Sequence, residues 1–417
     1  MLRSRRTVAL AIATLAAALA LPASEAAARS SNAPNGIRHV VFVGNNWDGT
    51  ADVIYPRAGY ERVARINIVP DLDERLMDIY THPDKLAFFL AIRQLVGEGH
   101  DQFVDDMYST PDGRLLIVSR PSLADVVGID LRTGDIAWRF PMEGYRSDHM
   151  GLSPDGTQVA VSDSTANVVH VLDTRTGQEL GSFPSGDSPH ENTYSKDGSL
   201  IYHASIGRVY TPTDDPAMST TKGERWFEIV DANSFKVLKR IDMGKKLDDA
   251  GYPDMSPAVR PMALSPDERY VYFQVSFFHG FVEYNLKTNR VTRVANMPIA
   301  DDVKDMPREQ YLLDSAHHGI AMNGRGTRLC VAGTMSDYAA VVSRESFRYK
   351  LIHAGKKPYW STTSRNGRNC YVSWSGSDRI SVINYRKRKE IARVPVGDHP
   401  QRIRSGNVTA SWLAAQL

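Results

Sequence analysis

An all-β chain closed into a seven-bladed β-propeller is the fold this sequence predicts, and three observations predict it. One turn signature recurs seven times, a short β-rich run follows each copy, and the spacing returns to about forty residues. A unit of about forty residues holding about four strands has the length of a propeller blade.

The turn copies are Thr110-Pro-Asp-Gly113, Ser153-Pro-Asp-Gly156, Ser195-Lys-Asp-Gly198, Ser265-Pro-Asp-Glu268 and Ser364-Arg-Asn-Gly367. Asn323-Gly-Arg-Gly326 is a degenerate copy and Ala33-Pro-Asn-Gly36 an early one. Their followers include His39–Val43, Leu115–Val118, Val159–Val161, Leu200–Tyr202, Tyr270–Phe273, Leu329–Val331 and Cys370–Val372. A second punctuation comes later in the unit, as in Asp130-Leu-Arg-Thr-Gly134 and Asp173-Thr-Arg-Thr-Gly177. Turn residues between β-branched runs mark hairpins. From Thr110 the turn starts are 43, 42, 70, 58 and 41 residues apart, so the long intervals hold insertions rather than missing blades. Pro400–Ser405 repeats the strand that precedes each turn, but no turn follows it. It is expected to supply the inner strand of the first blade, closing the ring without an open sheet edge.

The pattern G-x-x-P-x-x-x-x-x-S-P-D-G, a Tyr-Val-like strand, then V-x-D-x-x-T-G resembles the YVTN-type (surface-layer, nitrous-oxide-reductase N-terminal-like) β-propeller family over nearly all of residues 33–405. The resemblance implies the fold. Members that look like this chain include lactonases and streptogramin lyases, and others that handle haem or quinone cofactors. Since the likeness lies in the repeat, it carries no site residues over.

The chain has 417 residues, 42% hydrophobic and 24% charged, enough to bury a core without metal or disulfide staples. Residues 1–28 read as a secretory signal peptide. Arg3, Arg5 and Arg6 precede an apolar run from Val8 to Leu21, Pro22 breaks it, and Ala26-Ala27-Ala28 offers a small-residue cleavage site. Ser4–Val8 is a weak twin-arginine pattern, which leaves the export route open. The expected mature chain is secreted, periplasmic or in the cell envelope, with no transmembrane segment. Removing the leader takes away its net +2, equal to the whole chain's +2. A near-neutral protein without a long basic run argues against nucleic acid as a partner. The basic cluster Arg386–Lys389 falls where a hairpin tip is expected.

Two insertions are read, residues 70–103 and 207–224, either as lids over a channel mouth or as rim decoration. Within the first, Pro83–Val96 predicts a helix, with Pro in its first turn, Leu86, Phe89 and Leu90 on one face and Gly97 as a stop. Phe88, Ile92 and Leu95 extend that apolar surface, so burial is expected. Residues 406–417 form a C-terminal tail.

Setting the repeats in register places two consecutive positions near the channel mouth. The first reads Asp105, Asp148, His190, Arg260, His318, Tyr359 and Gln401; the second reads Asp106, His149, Glu191, Pro261, Gly319, Trp360 and Arg402. Clustered charges are costly to bury unless they pair, bind metal or meet a ligand. His149, His190 and His318 are candidate ligands for a first-row divalent ion such as Zn, Mn, Fe or Cu. Asp105, Asp106, Glu191, Arg260 and Arg402 are candidate catalytic groups, the carboxylates as further ligand or general base. A solvated, salt-bridged channel accounts for the same residues. His100-Asp101-Gln102, at the end of the first insertion, is close enough in sequence to Asp105 to reach the mouth, and His399 is a weaker candidate.

P-loop, dinucleotide, zincin, nucleophile-elbow and EF-hand motifs are absent from the sequence. Cys330 falls one strand position later than Cys370, so the two are expected on opposite sheet faces as buried free thiols. Trp47, Trp138, Trp226 and Trp374 are expected in blade packing. Three functions fit: a binder of a small molecule or metal at the mouth, a metal-dependent enzyme (lyase, lactonase-like hydrolase or oxidoreductase), or an envelope protein-interaction module.

Overall fold

The computed structural model describes residues 36–417 apart from 58, 210–214, 312 and 314; the expected signal peptide lies outside the described residues. Seven four-stranded antiparallel sheets stand in a ring, each with its inner strand at the channel. Blade 1 takes its inner strand, Pro400–Thr409, from the C-terminus and the other three, Ile37–Asn45, Thr50–Tyr55 and Glu61–Asn67, from the beginning of the described chain. Blades 2 to 7 follow in chain order, their inner strands starting near Met107, Ser147, Pro189, Val259, Ile320 and Pro358. The closing strand runs four residues beyond Ser405, and a helix, Ala410–Gln416, follows it. Leu413 of that helix packs into the core between blades 1 and 2, so much of the expected tail belongs to the ring.

The recurring signature builds the hairpin between first and second strands. In Ser153–Gly156, Ser153 Oγ donates to Asp155 at 2.6 Å and accepts from the Gln158 amide at 3.0 Å. The same pair of bonds recurs at Thr110, Ser195, Ser265 and Ser364. Gly113, Gly156, Gly198, Gly326 and Gly367 all take positive φ there, which glycine adopts without a Cβ clash. Second strands such as Leu115–Arg120 and Asn369–Trp374 are buried almost throughout, because each blade is covered on both faces, and hence read as continuous apolar runs. Outer strands carry exposed edge charges, among them Arg62, Lys239, Arg290 and Lys389, which discourage edge pairing.

Cys330 and Cys370 form a disulfide, contrary to the expected free thiols. The one-position offset does put them on opposite sheet faces. Adjacent blades, however, present opposite faces to one another, so the offset brings the sulfurs together between blades 6 and 7, in a core shared with Val341, Val372 and Trp374.

The insertion after blade 1 holds two helices, α1 (Leu72–Thr81) and α2 (Pro83–Leu95), where one was expected. Leu72, Leu76 and Ile79 had the helical spacing, with Asp71 as N-cap and Asp73 and Glu74 in the first turn. Ile79 and Phe89 pack with Val69 and Leu123 into a small core on blade 2. Buried Arg120 ties the insertion down through ion pairs to Asp125 and Asp71. Phe88, Leu90 and Leu95 are 40%, 45% and 39% exposed, not buried as the sequence suggested.

Candidate functional site

Every inner strand carries a β-bulge at its mouth end. Pairing with the second strand shifts between Ser147 and Met150, Pro189 and Glu191, Val259 and Met262, and Pro358 and Ser361; blade 1 shifts opposite Val43 and Asn45. In blade 2 the Asp105 amide donates to the Ser119 carbonyl while the Ser119 amide donates to the Asp106 carbonyl; His318, Ala332 and Gly319 repeat this in blade 6. A bulge re-aims side chains. Here Asp148 and His149, consecutive on one strand, make polar contacts with two consecutive residues of the next blade. Gly319 lacks a side chain where the inner strands crowd: a Cβ there would lie 2.5 Å from the Ser361 amide nitrogen.

His149, His190 and His318, from blades 3, 4 and 6, offer nitrogens that all lie within 4.8 Å of one another; Asp105, Asp148 and His149 form a second such group. All five residues are buried. The His149 and His190 rings are 3.6 Å apart between centroids, and His318 stacks on Tyr359 at 4.0 Å. Two of the imidazoles are held from behind by carboxyl groups. His190 Nδ1 lies 3.3 Å from Asp148 Oδ2, and His149 Nδ1 lies 2.8 Å from Glu191 Oε2. His190 Nε2 and His318 Nδ1 have no protein partner.

Burial favours the neutral forms. It lowers His190 to about 4 and holds His149 and His318 well below the usual imidazole value, helped by the charge of Arg402. Burial likewise pushes Glu191 up to about 8, and Asp105 up to about 6 against the pull of Arg402. For Asp148 burial acts in the same upward direction, but Arg146, donating at 2.6 Å, and His190 together outweigh it and hold the carboxyl low. An ionised Asp148 accepts from His190 Nδ1–H, which leaves the Nε2 lone pair outward as a ligand atom.

The cavity in front of these groups measures about 30 Å³ and is lined also by Gln102, Arg260, Gln401 and Arg402. Its apolar rim comes from three insertions. Val96 belongs to the first and Val209 to the second, with Ile206 just before it; Leu313 belongs to a third, residues 297–316, which the sequence reading did not single out. Arg260 donates to Ser276 Oγ at 3.1 Å, to Ser315 Oγ at 3.0 Å and to the Leu313 carbonyl, fixing that third insertion.

The structure thus brings Asp105, His149, His190, Arg260, His318 and Arg402 to one cavity. Glu191 supports it from behind. Asp106 is turned away: Arg404 donates to both of its oxygens, at 2.8 and 2.6 Å, and the Met107 and Met150 amides complete its coordination. That arrangement joins blades 1, 2 and 3. Arg146 was missed, since it precedes the two aligned positions, Asp148 and His149, by two and three residues. His100 does not enter the mouth, nor does His399; their rings sandwich Trp47 at 3.8 Å on either side, so Trp47 packs on the rim rather than inside a blade.

No family model matches the chain, and no curated protein matches it. Among solved structures it is similar to Kuenenia stuttgartiensis hydrazine synthase, with a TM-score of 0.53 and 15% identity, covering 71% of this chain and 88% of that one. At such identity the likeness concerns the fold alone. No helix among the described residues is long and apolar enough to cross a membrane.

Proposed function

We propose that this chain is an exported propeller, of YVTN type by its repeat, that holds a first-row divalent cation at the channel mouth through His149, His190 and His318 and offers it to a small ligand. The observation that carries this reading is the approach of three imidazole nitrogens, from three blades, to within 4.8 Å of one another. The ionised Asp148 behind His190 is the kind of partner that metal-bound histidines use to fix tautomer and ring orientation, and the Glu191 carboxyl group stands in the same position behind His149. Neutral imidazole is the ligating form, and burial keeps all three rings neutral near pH 7. Three nitrogen donors leave a fourth tetrahedral position for water or ligand. Export rests on residues 3–28 of the sequence.

Metal-dependent catalysis is a second reading, favoured by Asp105. Its Oδ2 has no protein partner, and a carboxyl poised at about 6 suits a general base near neutral pH.

Elemental mass spectrometry of the purified protein, beside a His190→Ala/His318→Ala double variant, tests the proposal. Near-stoichiometric metal that the variant loses is expected. Wild-type protein that takes up none of Mn, Fe, Cu or Zn on reconstitution overturns it.

A further inference from the structure

Arg402 shares the cavity with the three imidazoles and is 1% exposed. Its Nη2 lies 3.3 Å from Asp105 Oδ1, and its guanidinium carbon stands 4.1 Å over the Trp360 ring. The side chain is therefore fixed, yet Nε and Nη1 have no protein partner, nor does the second oxygen of Asp105. Buried donors are rarely left unpaired, because each loses its water without replacement. Arg402 lines the same narrow cavity as all three imidazoles, which sets it beside any ion they hold.

A divalent cation beside a fixed guanidinium is repelled, and the lining carries three guanidinium groups, Arg146, Arg260 and Arg402, against the two carboxyl groups of Asp105 and Asp148, so a metal adds to a site already positive. Val96, Ile206 and Leu313 keep the rim apolar, so water screens the repulsion poorly. An anion set between the two cations removes the conflict and gives the open metal position and the unpaired Arg402 donors one common partner. The cavity is narrow, about 30 Å³, which favours a small oxyanion over a bulky acid as the metal's companion.

We propose that the ligand of this site is a small oxyanion, of the carboxylate, carbonate or nitrite type, bridging the metal and Arg402. One oxygen takes the open metal position and another accepts from Nη1 of Arg402. The inference rests on the metal reading above. It makes metal and anion binding reciprocal: each tightens the other.

The test is titration of the full protein with Co²⁺ in carbonate-free buffer, alone and with saturating formate, nitrite or benzoate, read by the visible Co²⁺ bands and by chelator competition. Formate and nitrite are expected to tighten Co²⁺ by about tenfold or more and to shift the bands. Benzoate is expected to do neither. Arg402→Gln should lose the anion effect, and without anion should bind Co²⁺ at least as tightly as wild type, since the repulsion has gone; Arg402→Lys should retain part of the effect. Co²⁺ binding that neither formate nor nitrite alters overturns the oxyanion inference and leaves the metal reading standing. No Co²⁺ binding by wild type overturns both. An anion effect undiminished in Arg402→Gln removes Arg402 from the site. Should Arg402→Gln fail to fold, the wild-type titrations and Arg402→Lys still decide.

Discussion

The Nδ1 of His190 lies 3.3 Å from a carboxylate oxygen of Asp148, one blade back in the ring, and Arg146 anchors that same oxygen at 2.6 Å. An arginine thus orients a carboxylate, which orients an imidazole, whose remaining nitrogen faces the cavity. Asp148→Asn keeps the shape and removes the charge. Metal affinity should fall by about 10–100-fold, the usual effect of losing a supporting carboxylate. Competition against a calibrated chelator measures it, and an unchanged constant would show that Asp148 does not support the ligand.

The Cys330–Cys370 disulfide links blades 6 and 7 across 40 residues of chain. Reduction, or Cys370→Ser, should lower stability by about 2–4 kcal/mol. Both sulfurs lie in a core with no exposure, so reductant acts only on unfolded protein. Urea unfolding with and without reductant gives the difference; identical midpoints would deny the bond any stabilising part.

Arg404 and Asp106 form a bidentate pair between blades 1 and 2, with Asp106 fully buried. Arg404→Met strands the carboxylate and should cost about 3–5 kcal/mol. Adding Asp106→Leu should restore a large part of that loss, because the uncompensated charge is then gone. Equilibrium denaturation of both single variants and the double closes the cycle. Additive losses would mean the pair is not coupled.

Acid should destabilise this protein from mildly acidic pH downward. Burial lowers His203 to about 3 and His279 to about 4, whereas an unfolded imidazole titrates near 6.5. Between those values the unfolded chain takes up protons that the folded one does not, so stability falls as pH drops below about 6.5. Each group stops contributing further loss below its folded value. By pH 5.5 each accounts for about 1 kcal/mol. His279 bonds Tyr311 at 3.0 Å and faces the His317 ring at 6.2 Å. His279→Phe, which cannot titrate, should flatten the dependence of the thermal midpoint on pH between 7.5 and 5; an equally steep curve would exclude His279 as a source.

Much of this architecture is legible in the chain because it is written locally. Ser153 and Asp155 make their turn within six residues, and the same bonds recur at the other copies. The mouth register follows from counting back from those turns, so the sequence alone sets His149, His190 and His318 near the channel. Helix α1 was legible too, in Leu72, Leu76 and Ile79, but its strong polarity hid it.

The sequence by itself determined the repeat unit, the number of blades, the closing strand and the two positions per blade that approach the channel. All of these depend on turns and strand alternation, which neighbouring residues dictate. Tertiary structure alone decided which ionisable groups share a cavity and which pair off, so that Asp105 meets Arg402 while the adjacent Asp106 turns to Arg404. It likewise decided that Cys330 meets Cys370 and that Leu313 and Ser315 come back to Arg260. These contacts join separate blades and loops. Their geometry is fixed by the bulges and by the stacking of blade on blade around the ring, neither of which is visible in the spacing along a single strand.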